Sequence, residues 1–135
     1  MASIEKLRIR PKSGAVSVKR NDTDGLATSQ ILRDGNVIQW DATVGTIASV
    51  TLDSDIPSRT VALPYNIQDR TRYTLILRQD GTGGADVVFD SAFIFPNGAP
   101  RIGLEANSAY RIEFLAKKEK NGEIKLESIG VAKIA

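Results

Sequence analysis

The chain has 135 residues, with 41% hydrophobic and 25% charged residues and a formal net charge of +2. That length suits one domain with a single core, and the composition is that of a globular chain, not a disordered one. The absence of both His and Cys excludes Ser-His-Asp and Cys-His nucleophilic sites, disulfides, and nearly every zinc or transition-metal ligand set.

The first 20 residues differ in character from the rest. They carry Lys6, Arg8, Arg10, Lys12, Lys19 and Arg20 against Glu5 alone. Pro11 forbids a continuous helix and favours an extended path at Arg10. Residues 1–20 therefore read as an extended basic N-terminal arm or edge strand, and residues 21–135 as a single β-sandwich domain. Two uses of the arm stay open: a solvated edge whose charges block aggregation, or a clamp reaching a more acidic neighbouring subunit. No aromatic residue interleaves with the charges, so nucleic acid is not expected as a partner. The first 13 residues lack the apolar region of a secretory signal, and no run approaches bilayer-spanning length, so no membrane association is expected.

Five Asx-Gly dipeptides mark turns: Asp24-Gly25, Asp34-Gly35, Asp80-Gly81, Asn97-Gly98 and Asn121-Gly122. Short segments with period-two alternation lie between them. In chain order these are Val16 and Val18, Ile38 and Trp40, then Ile47, Val50 and Leu52, whose imperfect phase suggests a bulge. Val61 and Leu63 follow and stop at Pro64. Residues 27–33 could form one short helical turn. Tyr73, Leu75 and Leu77 make the clearest half-buried strand, and residues 73–100 read as a β-hairpin with its exit loop. Tyr110, Ile112 and Phe114 form another strand, paired with Ile124 and Leu126 across Lys120-Asn121-Gly122-Glu123. About eight strands at roughly 10–15-residue spacing indicate an all-β fold, an antiparallel β-sandwich or jelly-roll-like barrel with an extended N-terminal arm.

Candidate sites are few. Gly81-Thr82-Gly83-Gly84 lacks the Lys-Ser/Thr and the helix of a phosphate loop, and reads as a wide, flexible hairpin loop. Asn21-Asp22-Thr23-Asp24-Gly25 lacks the closing Glu of a calcium loop. Asp53-Ser54-Asp55 reads as a polar loop between strands. Asp86 and Asp90 share one strand face and could act as a carboxylate pair, but without neighbouring aromatics a solvent-facing row is preferred. Phe89, Phe93 and Phe95 share a face if the register is regular, with core packing preferred over an oligomer interface. Trp40, the only tryptophan, anchors either the core or an interface. Catalytic residues, cofactors and metal ligands are not expected.

The order of these pieces resembles a β-rich module of tailed-bacteriophage minor structural virion proteins, of tail fibre and decoration type. The matching features are Trp40-Asp41, the strand ending near Pro64, the run from Arg72 to Gly84 with its Leu-x-Leu-x-Gln-Asp-Gly-Thr-Gly-Gly core, Phe95-Pro96-Asn97-Gly98-Ala99-Pro100, and Ala106-Asn107-Ser108-Ala109-Tyr110. The resemblance covers residues 36–130. The chain departs from it in a Lys/Glu-rich end, residues 122–135, and in standing alone without the repeats of a long fibre. It implies a non-enzymatic virion protein, assembled in the host cytoplasm, in a homo-oligomer such as a dimer or trimer. The expected role is capsid decoration or cementing, with the major capsid protein or other virion subunits as partners. A tail fibre or receptor-binding module is the alternative. Expected partner-binding residues are Lys6, Arg8, Arg10 and Lys12 in the arm, with Asp80, Gly81, Phe95 and Pro96 in the loops.

Overall fold

The computed structural model describes residues 28–135. Expectations on the basic arm, Val16 and Val18, and the 21–25 turn lie outside the described residues. These form nine strands and no helix: β1 (Ser29–Ile31), β2 (Val37–Ile38), β3 (Ile47–Leu52), β4 (Ser58–Val61), β5 (Arg72–Gln79), β6 (Asp86–Phe89), β7 (Phe93–Ile94), β8 (Ala109–Lys118) and β9 (Ile124–Lys133). The fold is all-β, as the turn spacing indicates.

A six-stranded sheet has the order β1-β3-β5-β8-β9-β7, and a three-stranded sheet the order β2-β4-β6. From β1 to β7 the chain alternates between the two sheets at every strand. A strand that returns to its sheet after visiting the other runs in the same direction as before. Hence β1 with β3, β3 with β5, β2 with β4 and β4 with β6 are all parallel. Among the described strands only β5 with β8 and β8 with β9 are antiparallel. The expected antiparallel order is thus corrected to mixed sheets. Period-two alternation reports which face a side chain takes, not which way its neighbour runs.

The chain therefore winds in successive coils, each giving one strand to each sheet. Strand β7 would be the next strand beside β5, but the β8–β9 hairpin occupies that place. Instead β7 lies parallel to β9, with Leu126 opposite Phe93 and Glu127 opposite Ile94. The hairpin itself matches expectation: Ile124 lies opposite Lys118, Leu126 opposite Ala116 and Ser128 opposite Phe114. Its turn places Gly122 at φ 92°, a left-handed conformation that costs a residue with a Cβ. The ladder's one shift lies between Ser128 and Gly130 in β9. The bulge expected near Ile47 is absent, because Ala48, Val50 and Leu52 are the inward residues of a regular β3. Ile47 belongs to the other face.

Of the helical turn expected at 27–33, the described residues 28–33 depart from that form. Strand β1 takes up residues 29–31, with Gln30 inward and its neighbours out. Backbone partners on β3 satisfy this short segment better than an isolated helical turn, whose amides would mostly stay unpaired.

Both sheets contribute to one buried cluster. The six-stranded sheet supplies Ala48, Val50, Leu52, Tyr73, Leu75, Leu77, Ile112, Phe114, Ala116 and Leu126, and the three-stranded sheet supplies Ile38 and Val61. All four phenylalanines of the chain meet at one end. Phe89 lies 5.3 Å from Phe93 and 5.0 Å from Phe95, while Phe114 lies 5.2 Å from Phe93. The edge-to-face geometry of the Phe89 contacts is a favoured aromatic arrangement. Phe93 and Phe114 are thus core residues, with Phe89 and Phe95 half-buried against them. Trp40 is buried at 3% exposure, which settles its place in the core.

Candidate functional site

The strand from Arg72 runs straight into the turn singled out by sequence, but the two sides of that turn do not form a hairpin. Both edges of β5 are taken, by β3 and by β8. Strand β6 has no free edge to pair with there and joins β4 in the other sheet. The glycine segment is therefore a crossing between sheets, and it is tightly bonded, not loose. The Gln79 side chain acts as a piece of backbone: its Nε2 donates to Ala85 O at 2.7 Å, and its Oε1 accepts from Ala85 N at 3.1 Å. Gly84 N donates to Leu104 O at 2.9 Å. Gly83 is buried at φ 80°, and a Cβ there would run into Leu104 O and stand 2.8 Å from Ala106 N.

Asp80 is the hub of this corner. Its Oδ1 accepts from Thr82 N and Gly83 N, each at 2.9 Å, and its Oδ2 accepts from Ser54 N at 2.8 Å. The backbone bonds from Ser54, Gly83 and Thr82 hold its carboxyl far below the usual carboxylate range. Ser54 lies in the turn after β3, so Asp80 ties the third coil to the second. Asp34 does the same from the first coil, accepting from Asp53 N at 2.7 Å. The Asp53-Ser54 turn is thus gripped from both sides by aspartates of neighbouring coils. The polar loop expected at 53–55 is present, and Asp53 Oδ1 accepts from Asp55 N within it.

Arg59, which sequence reasoning passed over, is the most buried charge among the described residues, with its side chain at 0% exposure and that of Asp34 at 7%. Its guanidinium is bidentate on Asp34, with Nε to Oδ1 at 3.1 Å and Nη2 to Oδ2 at 2.6 Å. It also donates to Asp86 O and Asp53 O, each at 3.0 Å. Burial pushes the Asp34 carboxyl up, but the Arg59 hydrogen bond, the Asp53 and Gly35 amides and the Arg59 charge bring it below its ordinary value. The signal available in sequence was an arginine at an inward position of the alternating segment 59–61.

At the opposite corner Asp90 takes Leu63 N at 3.2 Å and Ala92 N at 2.9 Å. Asp41 takes Thr43 N at 2.9 Å, the Thr43 hydroxyl at 2.6 Å and Asn66 Nδ2 at 3.1 Å, and the Thr43 bonds lower its carboxyl. Asp86 is exposed and accepts from the adjacent Val87 N at 2.9 Å. Asp86 and Asp90 are therefore bonded separately to backbone. Among the described residues no group of acids is arranged to hold a metal ion.

Of the expected contact residues, Gly81 and Pro96 are exposed, and Asp80 is half-buried in its corner. Phe95 is half-buried against Phe89 and Phe114, and its carbonyl accepts from Gly98 N in the 95–98 turn. Lys6, Arg8, Arg10 and Lys12 lie outside the described residues. The surface also exposes large apolar side chains, among them Ile31 at 83%, Val37 at 59% and Val88 at 52%. Val37, Thr60 and Val88 are register partners and share the outward face of the three-stranded sheet. Comparison with protein families, with curated proteins and with solved structures returns no match.

Proposed function

We propose that the chain is a non-enzymatic structural protein of the bacteriophage virion, a decoration or cement protein that binds the major capsid shell and stabilises it. In this reading the two sheets pack as a β-sandwich, and symmetry-related copies act together in a dimer or trimer. The observation that carries the reading is the corner at 79–84. The Gln79 and Asp80 side chains are spent on backbone hydrogen bonds, so the motif that resembles the phage module works as architecture. In the outward row of Val37, Thr60 and Val88, the two valines are exposed and supply apolar surface suited to association. Each Å² of apolar surface buried at a capsid junction contributes about 25 cal/mol before ordering costs. Repetition over a shell adds avidity. The basic residues Lys6, Arg8, Arg10 and Lys12 would supply electrostatic docking, with Asp80, Gly81, Phe95 and Pro96 at the contact loops.

The test is a pull-down on empty capsids against host cells. Saturable capsid binding, weakened in a chain lacking residues 1–13, is the expected result. Equal binding by both chains would remove the N-terminal residues from the interface. Binding to cells and not to heads would replace the decoration role with the tail fibre or receptor-binding one.

A further inference from the structure

Four of the Asx-Gly pairs lie within the described residues, and they differ in chemistry. A glycine that follows an Asx residue has no Cβ to crowd it, so its amide nitrogen can close onto the Asx side-chain carbonyl carbon. That closure makes a five-membered ring. It needs a side-chain carbonyl open to attack and a segment free to change shape. Asp34 and Asp80 fail the first condition. They are carboxylates bonded to backbone amides and, at Asp34, to the Arg59 guanidinium, and an ionised carboxylate resists attack by nitrogen. Asn97 and Asn121 carry neutral amides and are both exposed.

The structure separates these two asparagines. In the β8–β9 hairpin, Asn121 Oδ1 accepts from Glu123 N at 3.0 Å, and Gly122 N donates to Glu119 O at 2.9 Å. Glu119 N donates to Glu123 O at 2.6 Å, and the strand ladder begins at once with Ile124 opposite Lys118. The hairpin must open before Gly122 N can reach the Asn121 side chain. Asn97 begins the long connection from β7 to β8. Among the described residues no hydrogen bond holds its side chain, and the one backbone bond of residues 96–102 is Gly98 N to Phe95 O at 2.9 Å. Segments held by so few bonds open locally at low cost. The two glycines have nearly equal φ, 88° and 92°, so the difference lies in the bonds around them.

We propose that Asn97 is a site of spontaneous deamidation in the folded protein. Gly98 N gives up its proton and bonds to Asn97 Cγ. The Cγ–Nδ2 bond breaks, and Nδ2 leaves with a proton as ammonia. Water then opens the succinimide at either carbonyl, which yields aspartate or isoaspartate. Either product puts a negative charge where a neutral amide stood, and isoaspartate adds a carbon to the backbone of the 95–98 turn. The change falls beside the half-buried Phe95 and the exposed Pro96. The inference does not rest on the virion reading.

The full chain, incubated for days at constant pH and temperature and then mapped by peptide mass, tests this. The Glu123 N and Glu119 N bonds are extra to the Asn121 turn. Two such bonds of ordinary net strength slow an opening by about 5–150-fold, so Asn97 should convert at least ~5-fold faster than Asn121. Aspartate and isoaspartate should both be found at position 97. In urea, where neither turn persists, the two asparagines should convert at similar rates. Asn97→Gln should stop conversion at that position, because the longer side chain closes a ring less readily. Equal rates in the folded chain, or faster conversion at Asn121, overturns the proposal. So does an Asn97 that stays intact in the folded chain but converts in urea. A difference that persists unchanged in urea would belong to the neighbouring residues and not to the fold, and also overturns it.

Discussion

Replacing Arg59 with methionine removes a guanidinium that is fully buried and bonded to four acceptors on three residues: Asp34 Oδ1 and Oδ2, Asp53 O and Asp86 O. The methionine keeps the stem volume but leaves the Asp34 carboxylate without its counter-charge. Removing one partner of a buried ion pair costs about 3–5 kcal/mol, because the other charge stays desolvated. For a domain of this size that is a large fraction of a total near 5–15 kcal/mol. The melting temperature should fall by roughly 10–20 °C. Urea unfolding of the wild type, Arg59→Met, Asp34→Leu and the double variant forms a cycle. The double variant should recover most of the loss, since replacing a whole buried pair with apolar groups is close to neutral. Arg59→Lys should not rescue, because an ammonium cannot match the bidentate fork. The pH dependence has a definite sign. The folded Asp34 carboxyl lies below its ordinary value of 3.8, so its contribution is complete above that value. It is lost as pH falls through the lower, folded value. A cost below about 1 kcal/mol for Arg59→Met, or a double variant no better than either single one, would refute the pair as a buried staple.

Gly83→Ala should destabilise by at least about 1–3 kcal/mol, from the positive φ alone. The approach to Leu104 O and Ala106 N adds to that, whereas Gly81→Ala should be nearly silent because a Cβ there meets nothing within 4 Å. Thermal melts of the two variants check the contrast. Asp80→Ala should accelerate amide exchange at Ser54, Thr82 and Gly83, the three donors it loses, while exchange at β8 stays unchanged. Among the described residues the buried Trp40 Nε1 has no hydrogen-bond partner, and an unpaired buried donor costs about 1–3 kcal/mol. Trp40→Phe removes that donor along with some ring volume, so denaturant unfolding should place it within about 1.5 kcal/mol of wild type. A loss above 3 kcal/mol would contradict the unpaired state of the indole.

Where a strand lies and which face it buries were legible in residues such as Leu75, Leu77, Ile112 and Phe114, whose alternation survives unchanged in β5 and β8. The β8–β9 hairpin was legible too, because Asn121-Gly122 is a local signal between two strands that are neighbours in space. Direction and partner choice were not legible. Strands that alternate between two sheets have the same local pattern as strands that fold back directly. For that reason the Gly-rich segment looked like a hairpin turn, and nothing local to Asp80-Gly81 reveals that both edges of β5 are occupied. Ala48 hid the phase of β3 because alanine is a weak apolar marker, which made Ile47 look inward. Arg59 hid in the same way, a polar letter at a core position whose partner, Asp34, lies a whole coil away.

The aspartates hold a further lesson about reading acids as chemistry. Asp34-Gly35 and Asp80-Gly81 look like turns that need a left-handed glycine, yet positive φ occurs at Gly98 and Gly122 and at neither Gly35 nor Gly81. In the aspartate pairs it is the carboxylate that makes the corner, by accepting amides from the adjacent coil. A carboxylate held this way is ionised well below neutral pH and has its oxygens directed at backbone, so it is a poor proton donor. What such corners do provide is a fixed spacing between coils, which holds the outward row of Val37, Thr60 and Val88 at set positions. A rigid row of β-branched side chains, exposed at Val37 and Val88, loses little entropy when a partner covers it. The acids are thus part of the frame that holds this row in place, and the row is the surface on which the proposed docking rests.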